Sequence, residues 1–118
     1  MERKIEKILA CRSKACIDDP RLKRAAVLIP LFKKDGEYHI LFTRRTDQVG
    51  HHKGQISFPG GRQDKKDKDL LTTALREARE EMGIEEKDVR ILGELDDICT
   101  ATTDFCISPF VALIPHPY

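Results

Sequence analysis

The spacing of apolar residues changes along the chain, and each change marks an element. Leu71, Ala74, Leu75, Ala78 and Met82 recur at steps of three and four, so they line one face of a helix from about Leu70 to Met82. Only Thr72 and Thr73 are weak helix formers within it. Asp67 or Asp69 is placed to cap its first turn, because a short acidic side chain accepts a bond from an orphan amide. Gly83 follows and suits the left-handed turn that ends a helix. Ile5, Ile8 and Leu9 predict a second amphipathic helix over Met1 to about Ser13. Ala25 to Phe32 is almost wholly apolar and predicts a buried strand. Lys33 to Glu37 reads as a hairpin turn and Tyr38 to Thr43 as the returning strand. Further strands are predicted at Ile56 to Phe58, Val89 to Leu95 and Phe105 to Ile114, with loops over Arg44 to Gln55 and Asp96 to Asp104.

The polar positions of the long helix form a stripe of their own. At about 100° per residue, Glu77, Glu80 and Glu81 fall within about 100° of each other, roughly a quarter turn from the apolar face. The helix can pack into a core and still present three carboxylates at the edge of a cleft. Like charges at these spacings destabilise a helix by a few tenths of a kcal/mol per pair. A hard, oxygen-preferring ion such as Mg²⁺ or Mn²⁺ relieves that repulsion. Arg76 can hold one glutamate in a planar fork. Taken alone, Arg76 to Glu81 reads first as a solvated face laced with salt bridges. Phe58-Pro59-Gly60-Gly61, a glycine turn set ahead of the helix across a polar loop, tips the balance toward a site.

With that turn included, the chain resembles the Nudix hydrolases. Arg76, Glu77, Ala78, Glu80, Glu81, Gly83 and Ile84 match the second half of the family signature. The first half fits with Gly61 as its glycine and Asp67 as its first acid, given one extra loop residue, which closes at little entropic cost. Asp67 is one methylene shorter than the glutamate of the signature. Upstream, Leu41, Thr43, Gly54 and Phe58 to Gly61 keep the spacing of the extended motif of the coenzyme A pyrophosphatase branch, while Gly50 stands where that motif has arginine.

The resemblance implies a single α/β domain over 1–118, a Nudix-type α/β/α sandwich with a mixed sheet, whose signature box runs from about 61 to 84. It implies hydrolysis of a nucleoside diphosphate linked to a further moiety. Gly61, Glu77, Glu80 and Glu81 are then the metal set, for Mg²⁺ or Mn²⁺. Glu80 or Glu81 activates water, and Arg76 orients the carboxylates. Coenzyme A is the implied substrate, with Arg44, Arg45, His52 and Lys53 as candidates for binding it, since this segment stays basic. Hydrolysis of ADP-ribose or a nucleoside triphosphate is the alternative within the family. A catalytically silent binding module or an incomplete domain is the alternative outside enzymology.

Composition adds bounds. A net charge of +1 over 118 residues gives no global attraction to nucleic acid or to a membrane surface. No apolar run is long enough to span a bilayer and the first residues have no signal-peptide core, so a cytoplasmic location is expected. The four cysteines, Cys11, Cys16, Cys99 and Cys106, form no zinc-like spacing and are expected as free thiols. The chain stops at Pro115-His116-Pro117-Tyr118, directly after a strand, whereas domains of this branch continue further. The expectation is therefore a domain lacking its C-terminal part, with Phe110, Val111 and Leu113 incompletely covered and a homo-oligomer as one way to cover that edge. His116 is expected to be a tail residue.

Overall fold

The computed structural model describes residues 2–11, 14, 21–44, 56–99 and 105–116. In chain order the elements are α1 (Glu2–Cys11), β1 (Lys23–Lys34), β2 (Glu37–Ile40), β3 (Thr43–Arg44), β4 (Ile56–Ser57), β5 (Gly60–Arg62), α2 (Leu70–Met82), a 3-10 turn (Glu86–Asp88), β6 (Arg90–Glu94), β7 (Ile98–Cys99) and β8 (Phe105–Leu113). The two apolar segments β1 and β8 run parallel, in register from Lys23 opposite Phe105 to Leu31 opposite Leu113. Short antiparallel strands share the outer edges of this central pair. Along β1, Ala25–Val27 pair with β5 and Leu31–Lys34 with β2. Along β8, Cys106 and Ile107 pair with β7, and Phe110 to Leu113 with β6. The result is a mixed six-stranded sheet, with β3 and β4 forming a separate two-stranded pair. Asp35 and Gly36 turn β1 into β2 with φ of 52° and 80°, the backbone that suits a two-residue hairpin.

Small residues let α2 approach the sheet. Ala74 and Ala78 meet Ala26 and Leu28 of β1 and Phe110 and Ala112 of β8, and Ile84 and Ile114 close the cluster. Asp69 caps the helix by accepting from the Thr72 amide at 2.8 Å, which satisfies one of the orphan amides of the first turn. Gly83 ends it at φ 70°, and the amides of Gly83 and Ile84 close onto the carbonyls of Arg79 and Ala78. On the other side, a Cβ on Gly93 of β6 would stand 2.6 Å from the Leu9 Cβ, so α1 lies directly against β6 there. Gly93 is the register partner of Val111, which alternates with Phe110 and Ala112. Thus α1 covers the sheet face opposite α2, and the layers form an α/β/α sandwich.

One expectation about the last strand is overturned. β8 is an interior strand, flanked by β1 on one side and by β6 and β7 on the other. Phe110 is 4% and Val111 8% exposed, so these two are covered, against the expectation from the sequence, while Leu113 is only partly buried, as expected. The physical reason is the parallel pairing with β1, which places the last strand in the middle of the sheet. His116 is exposed, and its ring stacks on Phe32 with centroids 5.0 Å apart. The loop expected over Asp96 to Asp104 contains β7, and the strand expected to reach Thr43 stops at Ile40.

Candidate active site

The glycine turn is fixed to the sheet at both of its ends. Leu28 N–H donates to the Pro59 carbonyl and Gln63 N–H to the Arg24 carbonyl, each at 2.9 Å. Between them Gly61 lies opposite Ala26 and under α2. A Cβ on Gly61 would come within 2.7 Å of the Glu77 carboxyl carbon and 2.8 Å of its Oε1. The absence of a side chain is therefore what lets this carboxylate lie against the backbone of the turn. A Cβ on Gly60 would instead strike the Ala26 carbonyl oxygen at 2.4 Å, so the pair of glycines serves two different contacts.

The loop after the turn builds a socket around Asp67. Its Oδ2 accepts from the Asp64 amide and from the buried Thr73 hydroxyl, both at 2.9 Å. Arg76 then closes onto it with a two-pronged contact, Nε to Oδ1 at 3.0 Å and Nη2 to Oδ2 at 2.9 Å. Asp67 is only 7% exposed. The Arg76 guanidinium and the Asp64 and Thr73 donors hold its carboxyl at a pKa of about 2, against the opposing effect of burial. The same contact raises the Arg76 pKa. The remaining edge of the guanidinium faces the glutamates: Nη1 donates to Glu77 Oε1 at 2.9 Å and to Glu80 Oε2 at 3.3 Å, and Nη2 to the Arg62 carbonyl at 3.2 Å. A cleft of about 470 Å³ opens here, lined by Arg62, Gln63, Asp64, Lys65, Arg76 and Glu77. A second, of about 550 Å³, lies beyond Asp67 and includes none of Glu77, Glu80 and Glu81.

Residues 22–106 match the NUDIX domain family. The chain belongs to the Nudix family. It is 43% identical over 93 residues to the uncharacterized Nudix hydrolase NudL of Yersinia pestis (strain Pestoides F), covering 79% of this chain and 46% of that protein. The chain thus spans about half the length of the curated relatives it matches. Among solved structures it is similar to the C. elegans Ap4A hydrolase, with a TM-score of 0.65 at 20% identity over 81% of this chain and 70% of the other. It is also similar to the NUDIX domain of Shewanella oneidensis NrtR in complex with ADP ribose, with a TM-score of 0.57 at 17% identity over 95% and 70% of the two chains. At these identities the structural likeness speaks to the fold.

The Nudix box is therefore a clamped array. The structure brings Gly61, Arg76, Glu77 and Glu80 together, and Arg76 reaches two glutamates. Glu81 is exposed on the adjoining turn of α2. Among the described residues, no three His, Cys, Asp or Glu side chains are gathered into a ready-made metal cage. One guanidinium prong bridges Glu77 and Glu80 and relieves their repulsion in the way a cation would. The donor set fits a hard divalent ion, since it is all oxygen and the bare Cα of Gly61 lets the Glu77 carboxylate lie against the backbone of the turn. Among the substrate candidates, Arg45, His52 and Lys53 lie outside the described residues, and Arg44 is placed only as the backbone partner of Ile56. No helix among the described residues is long and apolar enough to cross a membrane.

Sequence reasoning missed the supporting layer. Of the two cap candidates, Asp69 is the cap and Asp67 is the anchor of Arg76. Thr73 was read as a weak helix former, yet its hydroxyl is buried on Asp67. The available signal was a threonine in the core-facing first turn of a helix, where a hydroxyl needs a partner. Gly61→Ala tests the contact across the turn. The three atoms nearest to the added methyl all belong to the Glu77 carboxylate, the far end of a flexible side chain, so the fold should persist while the carboxylate is displaced. Activity with a divalent ion should fall by roughly 10- to 100-fold, the usual effect of disturbing how a ligand is held. Wild-type turnover with an unchanged melting temperature would show that Glu77 need not lie against Gly61.

Proposed function

We propose that this Nudix chain carries the metal-dependent site of a pyrophosphohydrolase acting on a nucleoside diphosphate linked to a further moiety, with coenzyme A as substrate. The observation that supports the reaction class is the Asp67–Arg76 clamp, which holds Glu77 and Glu80 beside the glycine turn. Glu77, Glu80 and Glu81, with the Gly61 carbonyl, would hold Mg²⁺ or Mn²⁺. Such an ion, when bound, supplies neutralisation of diphosphate charge and a more acidic bound water.

The rest is the work of the chain. Arg76, fixed by Asp67, sets the direction of two carboxylates and keeps them from turning into solvent. Glu80 or Glu81 accepts the proton of the attacking water on a carboxylate oxygen. Water oxygen adds to one phosphorus, the bridging P–O bond breaks, and the second phosphate leaves as an anion. From coenzyme A the products are 3′,5′-ADP and 4′-phosphopantetheine. Arg44, Arg45 and Lys53 are the candidates for binding the 3′-phosphate of the substrate, on charge alone, with His52 in the same basic segment.

Coenzyme A rests on the spacing from Leu41 to Gly61; Gly50, in an arginine position of that motif, favours ADP-ribose or a nucleoside triphosphate instead. The test is turnover of coenzyme A, ADP-ribose and nucleoside triphosphates with Mg²⁺ and with Mn²⁺. Release of 3′,5′-ADP at the highest kcat/KM supports coenzyme A. A far higher kcat/KM on either competitor overturns the substrate, and no turnover with retained binding points to a silent module.

A further inference from the structure

Cys99 and Cys106 are direct register partners in the β7–β8 pair. Such partners point to the same sheet face with Cα atoms roughly 4.5–5.5 Å apart, inside the range of roughly 4.4–6.8 Å that a disulfide spans. Both are in the reduced form. They differ in access: Cys99 is exposed, whereas Cys106 is 1% exposed on the interior strand. Burial and the neighbouring Asp97 carboxylate push the Cys106 thiol up, so it stays protonated and inert by itself.

We propose that Cys99 and Cys106 are a modification site, joined by a reversible cross-strand disulfide through exchange with a small-molecule disulfide such as oxidised glutathione. Cys99, the accessible thiol, attacks one sulfur of glutathione disulfide, whose S–S bond breaks and expels a glutathione thiolate. Cys106 Sγ then attacks Cys99 Sγ and expels the second. The two glutathione thiolates take up the two protons released by the cysteines. Two protein thiols are oxidised and one glutathione disulfide is reduced to two glutathiones.

The bond would fasten a two-residue edge strand to the centre of the sheet, next to the site. Cys106 is the register partner of Arg24, whose Nη1 lies 3.8 Å from the Cys106 Sγ. The Arg24 carbonyl holds the Gln63 amide, and Gln63 Nε2 reaches the Asp67 carbonyl at 3.4 Å. One strand therefore separates the cysteine pair from the loop that positions Arg76.

The experiment equilibrates reduced protein with stepped ratios of oxidised to reduced glutathione, quenches it in acid and digests it without reductant. Asp104 lies between the two cysteines, so a protease cutting before aspartate leaves their peptides joined only by the disulfide. The expected result is a Cys99–Cys106 linked pair, loss of two hydrogens from the intact mass, and the same product in a Cys11→Ser/Cys16→Ser background. Cys99→Ser, at an exposed position, should fold and form no such link. The oxidised wild type should melt at a higher temperature than the reduced form, with no such rise in Cys99→Ser. Only glutathione adducts, only links to Cys11 or Cys16, or an unmodified pair at every ratio would overturn the proposal.

Discussion

Glu77→Gln should reduce turnover by roughly 10²- to 10³-fold, the scale seen when one electrostatic contact to a reacting centre is removed. Glu77 is the glutamate that lies against the glycine turn, and its Oε1 receives the firmer of the two Arg76 Nη1 bonds, 2.9 Å against 3.3 Å for Glu80. Glutamine keeps the shape and an acceptor for Arg76, so the fold should hold. What it lacks is the charge that a divalent ion needs. In the wild type, an ion at a hundredfold over its Kd should stabilise the fold by about 2.7 kcal/mol through mass action. In Glu77→Gln most of that stabilisation should disappear. Thermal melting across a Mg²⁺ or Mn²⁺ titration, paired with product release, checks both halves. Equal metal shifts in the two proteins, with turnover intact, would remove Glu77 from the site. Glu80→Gln should have a smaller effect on the metal shift, because Glu80 is 52% exposed at its side chain and joins the clamp by a longer bond.

The limits of the sequence reading follow from the range of the interactions involved. The bounds of α2 were legible because everything that sets them is local: the apolar stripe of Leu71, Ala74, Leu75, Ala78 and Met82, the Asp69 cap and the Gly83 stop. The carboxylate face was legible for the same reason, since helix geometry alone puts Glu77, Glu80 and Glu81 on one side. The place of β8 was not. Its parallel partner β1 lies some eighty residues earlier, as with Arg24 and Cys106 at a separation of 82, and no local pattern records that pairing. The reach of Arg76 was half legible. Its contacts to Glu77 and Glu80 are one and four residues away, but the anchor Asp67 sits nine residues back, across the loop. An aspartate in the first-acid position looked like a shortened glutamate. In the folded chain the short side chain fits the socket made by the Asp64 amide and the Thr73 hydroxyl.

Asp67→Asn should therefore cost more stability than any other single change in the box, and its effect should depend on pH in a defined direction. Removing one partner of a buried, hydrogen-bonded ion pair leaves the other charge uncompensated, and such changes cost about 3–5 kcal/mol. The pKa of Asp67 falls from 3.8 to about 2 on folding. A depressed carboxyl pKa stabilises the fold above the unfolded value and ceases to do so as pH falls through the folded value. Asp67 should thus contribute fully above about pH 5, lose its contribution between there and about pH 2, and account for roughly 2 kcal/mol of acid sensitivity. Asp69 is also held down, by its bonds to Thr72, so the wild-type acid slope alone does not isolate Asp67. The difference between wild type and Asp67→Asn does. Urea unfolding at a series of pH values from about 6 to 2 should show the two proteins far apart near neutrality and converging in acid. Turnover of the variant should fall as well, with Glu77 and Glu80 losing a fixed partner, while Asp69→Asn, which leaves the Arg76 clamp untouched, should keep it. A constant gap between the two unfolding curves across that pH range would mean that Asp67 does not carry the ionic half of the clamp.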